Sequence, residues 1–251
     1  MGNDLVSIIT PSYNTANFID QTIESVLNQT YKNWEMIIID DCSSDNTEEI
    51  VNRYKDHRIK FYVNEKNCGA ALSRNIAISK ARGKWIAFLD SDDLWDKDKL
   101  SIQISFMEKN NYHFSYTNYR EINEKNMISN NEISGPKCIS KTLMYCYCWP
   151  GCLTVMYDAD YVGKIQIRDL KKNNDYAIWL KIIKQCCCYK VDKCLASYRK
   201  RTGSISNVSF YKLIGHHYKL FRYGQEMSIV SSFSLTTLNM VCGFIKKIKY
   251  K

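Results

Sequence analysis

Trp85-Ile86-Ala87-Phe88-Leu89-Asp90-Ser91-Asp92-Asp93 sets five apolar residues directly against three carboxylates. An apolar run of this length reads as a strand buried on both faces, as in a parallel sheet covered by helices. Moving outward, the pattern repeats: Met36-Ile37-Ile38-Ile39 ends in Asp40-Asp41, and Leu5-Val6-Ser7-Ile8-Ile9-Thr10 ends in Pro11. Ile59 to Val63 supplies one more strand. Between these runs the apolar period becomes helical. Phe18, Ile19, Thr22, Ile23, Val26 and Leu27 form one set, with Asn14 or Thr15 available as cap. Asp45-Asn46-Thr47-Glu48 has the form of a capping box ahead of Ile50, Val51 and Tyr54. Gly69 to Ala81 offers Leu72, Ile76 and Ile78 for burial before a stop at Gly83. Four alternations of strand and helix predict an α/β fold with a Rossmann-like, mainly parallel central sheet flanked by helices. Ligands of such sheets bind beyond the carboxyl ends of the strands. Pro11 to Asn14, Asp40-Asp41 and Asp90 to Asp93 all fall there.

Past residue 110 the pattern predicts a strand at Phe114 to Tyr119, a loop-rich section to Trp149 and a strand at Cys152 to Tyr157. A helix over Asp175 to Lys184 follows, carrying Ile178, Trp179, Ile182 and Ile183. With 251 residues, 45% of them hydrophobic, the chain is long enough to bury a full core as one domain with a C-terminal appendage. Its charge of +9 is uneven: residues 1–110 carry 13 Lys/Arg against 17 Asp/Glu, and 111–251 carry 22 against 9. The acidic part is suited to a metal and the basic part to an anionic partner. No helix-turn-helix, zinc-finger or RNA-recognition signature accompanies the basic charge, which argues against nucleic acid.

The start, Met1-Gly2-Asn3-Asp4, lacks the basic region of a secretory signal and runs straight into a strand. Reduced thiols in the cytoplasm are therefore the expectation for the 11 cysteines. Cys146/Cys148 and Cys186-Cys187-Cys188 lack zinc-site spacing. Met227 to Ile245 is apolar but interrupted by seven Ser, Thr and Asn residues, and is followed by Lys246, Lys247, Lys249 and Lys251. That pattern fits either a segment lying on an anionic membrane surface or a terminal helix packed on its own domain.

Asp90-Ser91-Asp92 offers hard oxygen ligands suited to Mg²⁺ or Mn²⁺ beside a diphosphate. Alone, that spacing is as well explained by turn-forming aspartates. It has company, however. Val6 to Asn14, Ser25-Val26-Leu27-Asn28-Gln29-Thr30-Tyr31, Ile39 to Thr47, Asn67-Cys68-Gly69-Ala70-Ala71-Leu72-Ser73-Arg74-Asn75 and Ala87 to Asp93 closely resemble, in order, the opening of glycosyltransferase family 2. The resemblance extends over residues 5–205 and is loose in the tail. It implies the A-type glycosyltransferase fold and a nucleotide-diphospho-sugar donor, with UDP the expected nucleotide. It further implies that Pro11, Ser12, Tyr13 and Asn14 line the nucleotide pocket, that Asp41 binds the base, and that Arg74 contacts the base or nearby donor groups. Ser91 joins the donor site, Asp92 is the main metal ligand, and Asp90 faces the ribose or the metal.

Asn174-Asp175-Tyr176-Ala177-Ile178-Trp179 resembles the family's later acidic motif, in which a carboxylate at a helix start is the general base. Asp175 takes that role here. Asn174 departs from the family pattern, which often has Glu, and this removes one candidate acceptor contact. Ser197 to Ser206 resembles the segment closing the domain in bacterial surface-polysaccharide members, its basic residues either meeting a diphosphate or forming a solvated loop. His216-His217 is read as packing or surface and left out of the site.

The resulting expectation is an inverting, metal-dependent transferase of bacterial surface-polysaccharide synthesis (capsule, O-antigen or teichuronic type). Its partners are the donor and a glycan or lipid-linked saccharide acceptor. It is placed in the cytoplasm, peripheral to the inner face of the plasma membrane if the tail binds lipid. The catalytic domain is expected over 1–205, divided into a nucleotide-sugar part (1–110) and an acceptor part (111–205), with a helical tail over 206–251. A sugar nucleotidylyltransferase would open with a glycine-rich, lysine-bearing loop, which Pro11-Ser12-Tyr13-Asn14 is not. A binding module without turnover would have no need of both Asp92 and Asp175.

Overall fold

The computed structural model of the chain describes residues 3–201 and 210–249. The expected boundary at 205/206 and the Thr202 to Ser206 part of the closing segment lie outside the described residues. The first half is the predicted alternation: β1 (Val6–Ser12), α1 (Ile19–Leu27), β2 (Trp34–Asp40), α2 (Thr47–Asn52), β3 (Ile59–Val63), α3 (Ala70–Lys80) and β4 (Trp85–Phe88). Every residue of β1, β2 and β4 is buried, which is why they read as continuous apolar runs. Next come β5 (Leu94–Trp95), α4 (Lys99–Asn110), β6 (Phe114–Ile122), β7 (Ile128–Ile133), β8 (Cys138–Ile139) and α5 (Lys141–Cys146). The remaining elements are β9 (Met156–Asp158), α6 (Ala159–Val162), α7 (Asn174–Ile182), β10 (Cys188–Arg199), α8 (Phe210–Lys219), which continues into a π-helical turn over Leu220–Gly224, and α9 (Ile229–Lys249).

One sheet runs in the order β3-β2-β1-β4-β9-β6-β10-β5. β1 to β4 are mutually parallel, β9 runs antiparallel between β4 and β6, and β10 is parallel to β6. Two apolar cores cover its faces, one around Phe88, Phe114 and Trp179, the other around Trp34, Met36 and Leu100. All eleven cysteines carry free thiols.

Several local expectations change. α1 is capped by the Thr15 carbonyl, which accepts from the Phe18 and Ile19 N–H groups, and not by a side chain. Asp45 accepts from the Thr47 N–H and hydroxyl, but α2 stops at Asn52, before Tyr54. α3 buries Ala71, Ser73, Arg74, Ala77 and Ile78 and leaves Leu72 and Ile76 half-buried. Its inward face is small and polar because it packs close over β1 and β2 and carries Arg74 into the site. The section expected as loop holds β7, β8 and α5, and Cys152 to Thr154 form a 3₁₀ turn ahead of the short β9.

Gly83 ends the α3–β4 connection where no side chain fits: a Cβ there would lie 2.5 Å from the Leu5 carbonyl oxygen and 2.7 Å from the Ser7 nitrogen. Because both obstacles are backbone, Gly83→Ala is expected to cost about 1–3 kcal/mol by overpacking. Urea denaturation checks this, and an unchanged midpoint would contradict the close approach.

Candidate active site

A cavity of about 710 Å³ opens beyond the carboxyl ends of β1, β2 and β4 and is closed on the other side by the start of α7 and the ends of β6 and β10. Pro11, Ser12, Tyr13, Asp41, Arg74, Asp90, Ser91, Asp92 and Asp175 all line it. They come from both sequence halves, so the sheet does the gathering. Asn14 is not on the wall. Its backbone is left-handed (φ 50°), its N–H donates to Ser43 Oγ at 2.8 Å, and its Oδ1 accepts from the Ser44 N–H at 2.8 Å. It shapes the loop that presents Tyr13, which is 48% exposed and free to meet a flat ligand.

The two aspartates after β2 divide their work. Asp40 is buried and closes its own turn, accepting from the Ser43 N–H at 2.8 Å and the Ser43 hydroxyl at 2.6 Å. Asp41 accepts from the Cys68 and Gly69 N–H groups, both at 2.7 Å, and from Asn64 Nδ2 at 2.8 Å. It thereby fixes the loop entering α3, where Gly69 has the φ of +84° that an L side chain resists. An ionised carboxylate has about four lone-pair sites, so three donors leave one for a ligand N–H.

Arg74 is buried and joins the halves of the cavity. One Nη donates to Asn174 Oδ1 and the other to Asp90 Oδ1, while Nε has no partner among the described residues. Asp90, with Asp175 nearby, holds the guanidinium firmly charged despite its burial. Its fork holds Asp90 and Asn174, which ties the end of β4 to the start of α7. Asn174 thus serves as the carbonyl acceptor for that fork.

Asp92 pairs with Arg201 Nε at 2.8 Å. Of the three basic residues expected near a diphosphate, only Arg201 lines the cavity. Lys200 pairs with Glu121 at 2.6 Å. Arg199 turns inward and is fully buried: Nε donates to the Asp92 carbonyl at 2.7 Å, Nη1 to Asn126 Oδ1 at 2.6 Å and Nη2 to Gln21 Oε1 at 2.9 Å. Its backbone N–H donates to Asp93 Oδ1 at 2.8 Å. Burial pushes the Asp93 carboxyl well up, with the Asp92 and Asp90 charges adding to the effect.

Asp175 is the second residue of α7. The cap position belongs to Asn173, left-handed at φ 58°, so Asp175 is not a simple N-cap. Its Oδ1 accepts from the Tyr176 N–H at 2.8 Å. Burial raises its carboxyl above the ordinary range and Asp90 adds to this, against the lowering pull of Arg74 and the Tyr176 N–H. A half-buried carboxylate made more basic than usual is equipped to take a proton.

No cluster of three or more His, Cys, Asp or Glu side chains able to hold a metal exists among the described residues. Asp90 and Asp92 still fit a hard divalent ion, which usually takes one or two carboxylates and completes its shell with phosphate oxygens and water. His216 and His217 do not line the cavity. His217 packs edge-on to Tyr176, and burial pushes its imidazole down to about 4.

Sequence reasoning did not select Tyr119, Cys152, Leu153, Lys171 or Tyr198, which form the wall opposite the β1–β2 side. Tyr119 and Tyr198 meet edge to face at 6.4 Å. Tyr198 lies at the end of β10, which does not read as a strand in the sequence, whereas Tyr119 closes the strand expected over Phe114 to Tyr119 and was within reach of the rule that picked the aspartates.

Residues 7–149 match the family model described as Glycosyl transferase family 2. Over 206 residues the chain is 42% identical to the putative teichuronic acid biosynthesis glycosyltransferase TuaG of Bacillus subtilis (strain 168), spanning 81% of this chain and 82% of that protein. Identity is also 42% over 215 residues to the UDP-Glc:alpha-D-GlcNAc-diphosphoundecaprenol beta-1,3-glucosyltransferase WfgD of Escherichia coli, with 85% and 84% covered. The fold is similar to that of S. aureus TarS 1-349, solved in complex with UDP-GlcNAc, with a TM-score of 0.73 at 20% identity and 98% and 76% of the two chains covered.

Proposed function

Because the chain belongs to glycosyltransferase family 2, we propose that it transfers a sugar, with inversion and metal assistance, from a UDP-sugar to a hydroxyl of a glycan or lipid-linked saccharide in bacterial surface-polysaccharide assembly. The observation that carries this reading is the meeting, in one cavity, of a basic carboxylate, Asp175, and the paired acidic groups Asp90 and Asp92. WfgD is named for a UDP-glucose donor and a diphosphoundecaprenol-linked acceptor. The nucleotide and the acceptor class are carried over from that 42% identity. A nucleotidylyltransferase is disfavoured by Pro11-Ser12-Tyr13-Asn14, which has no glycine or lysine for a phosphate loop.

In this mechanism Tyr13 and Asp41 receive the base, with Pro11, Ser12 and Ser91 shaping the pocket around it. Asp90 and Asp92 would hold Mn²⁺ or Mg²⁺, which would supply positive charge against the departing diphosphate. Arg201 exchanges Asp92 for the diphosphate as a bidentate donor. Asp175 takes the acceptor hydroxyl proton while that oxygen attacks the anomeric carbon on the face opposite the diphosphate. A single displacement inverts the configuration. The aromatic wall of Tyr119 and Tyr198 gives the acceptor sugar a surface to lie on. The enzyme works in the cytoplasm, at the inner membrane face where a lipid-linked acceptor is found.

Calorimetric titration of UDP and UDP-sugars with Mn²⁺ present tests the donor half. Wild type is expected to bind, and Asp92→Ala or added chelator to abolish the metal-dependent part. Folded protein that binds no nucleotide would overturn the reading.

A further inference from the structure

α9 is inverted for a helix that merely covers its own domain. Its inward face is mainly polar or small: Ser232, Thr236 and Asn239 are buried, Gly243 lies against the Tyr147 ring, and Lys246 sits over Tyr147 and Trp149 at 4.7 and 5.3 Å, with Leu235 packed against the core beside them. Its outward face is mainly apolar, with Val230 76%, Phe233 69%, Val241 51% and Phe244 67% exposed, and with Ile229 and Ile245 alongside; Ser234 and Thr237 share this side, the Thr237 hydroxyl donating to the Phe233 carbonyl. At about 100° per residue these two sets fall on opposite sides of the helix. A surface helix normally buries its apolar stripe and wets its polar one. Here the polar stripe is held in place by hydrogen bonds: Asn239 Nδ2 donates to Tyr176 Oη at 2.8 Å and to the Tyr145 carbonyl at 3.3 Å, and the Tyr176 hydroxyl donates to the Met144 carbonyl at 2.6 Å. The orientation is therefore specified.

We propose that the outward face of α9 is a membrane-docking surface, lying in the plane of an anionic bilayer with Val230, Phe233, Val241 and Phe244 among its acyl chains. Three observations select this occupant. The 21 residues of α9 include no Asp or Glu, and the sequence at its end carries Lys247 and Lys249. An apolar helix without acidic residues and with lysines at its end in the sequence suits an anionic leaflet. A second copy of the chain would bring one strongly basic half against another. A spanning arrangement is long enough on paper, since Ile229–Lys246 has the length and mean hydropathy to cross. It would pull Asn239 from Tyr176, however, and leave Ser232, Thr236 and Asn239 facing lipid, where polar groups are costly.

Docking through this face leaves the domain tethered along the bilayer. Tyr176, which Asn239 grips, follows Asp175 directly, so the lipid contact is one hydrogen bond from the helix that carries the base. Only the benefit of this to a lipid-linked acceptor rests on the proposed transfer reaction. The docking itself does not.

The test is co-flotation of the full chain with phosphatidylcholine vesicles, with and without phosphatidylglycerol. Wild type is expected to float with the anionic vesicles and to be released by alkaline carbonate. Val230→Ser/Phe233→Ser/Phe244→Ser should reduce binding about tenfold or more while keeping the wild-type unfolding transition. Phe233→Trp gives a second readout that leaves the apolar face intact: the emission of its new indole should shift to the blue on anionic vesicles and be quenched by brominated acyl chains. The proposal is overturned if the triple variant floats like wild type or if the emission of the Phe233→Trp protein ignores the vesicles. Resistance to carbonate, or a lipid-free dimer that the triple variant dissolves, overturns it equally. UDP binding by the same proteins reports the donor site separately, so loss of one reading leaves the other standing.

Discussion

Asp175→Asn should lower turnover by roughly 10²–10⁴-fold, the usual scale for a lost general base, with UDP-sugar binding unchanged. The substitution keeps the shape of the side chain and an oxygen for the Tyr176 N–H, so its effect isolates the loss of basicity. The pH profile adds an independent readout. Burial raises the Asp175 carboxyl, and a base works only when ionised. Activity should therefore fall as the pH drops through a value above the ordinary carboxylate range, and that acid limb should disappear in Asp175→Asn. Single-turnover rates with saturating donor measure both. Wild-type turnover in the variant would remove Asp175 from the chemistry.

Arg199→Met is expected to have the largest effect on stability. It deletes a buried guanidinium that braces the Asp90 to Asp93 turn from behind, leaving the Asp92 carbonyl, Asn126 and Gln21 without their donors and Asp93 without its neighbouring cation. Breaking a buried charge arrangement on one side costs about 3–5 kcal/mol. For a chain of this size that lowers Tm by on the order of 10 °C. Calorimetric unfolding checks it. A Tm within a degree or two of wild type would mean that the turn holds itself.

That turn also shows what could be read from the sequence. Asp90 to Asp93 announced itself because β4 is buried on both faces and stops abruptly at charge; β1 and β2 were legible for the same reason, and with them the sheet and one wall of the cavity. β10 was not. Its register against β6 shifts between Val191, Cys194 and Ala196, and those irregularities break the period-two pattern that marks a strand. Tyr198 and the inward turn of Arg199 were hidden with it, so a basic triplet that looked uniform proved to face three different ways. α4 was masked by polar residues on its buried face: Gln103 donates to Ser115 Oγ and the Thr154 carbonyl, and Lys99 lies over the Trp95 ring at 3.7 Å. α9 misled for the opposite reason. Its apolar residues suggested burial or a membrane in equal measure, and only the position of Asn239 against Tyr176 shows which side faces in.

Arg74 marks a further limit of sequence reading. A motif can place an arginine in a site but cannot say where its fork points, because that depends on Asn174, one hundred residues away in the chain. The contact joins the Asp90 side of the cavity to the helix that carries Asp175, so its two halves are linked by one side chain.

The most direct test of the central claim is the stereochemistry of transfer. Wild-type protein would be incubated with Mn²⁺, a panel of α-linked UDP-sugars and a synthetic lipid-diphosphate-linked N-acetylglucosamine, and the anomeric proton coupling of the product read by NMR. A single displacement assisted by Asp175 predicts a β-linked product. An α-linked product would contradict it, because retention needs a second displacement or a front-face path in which Asp175 has no place.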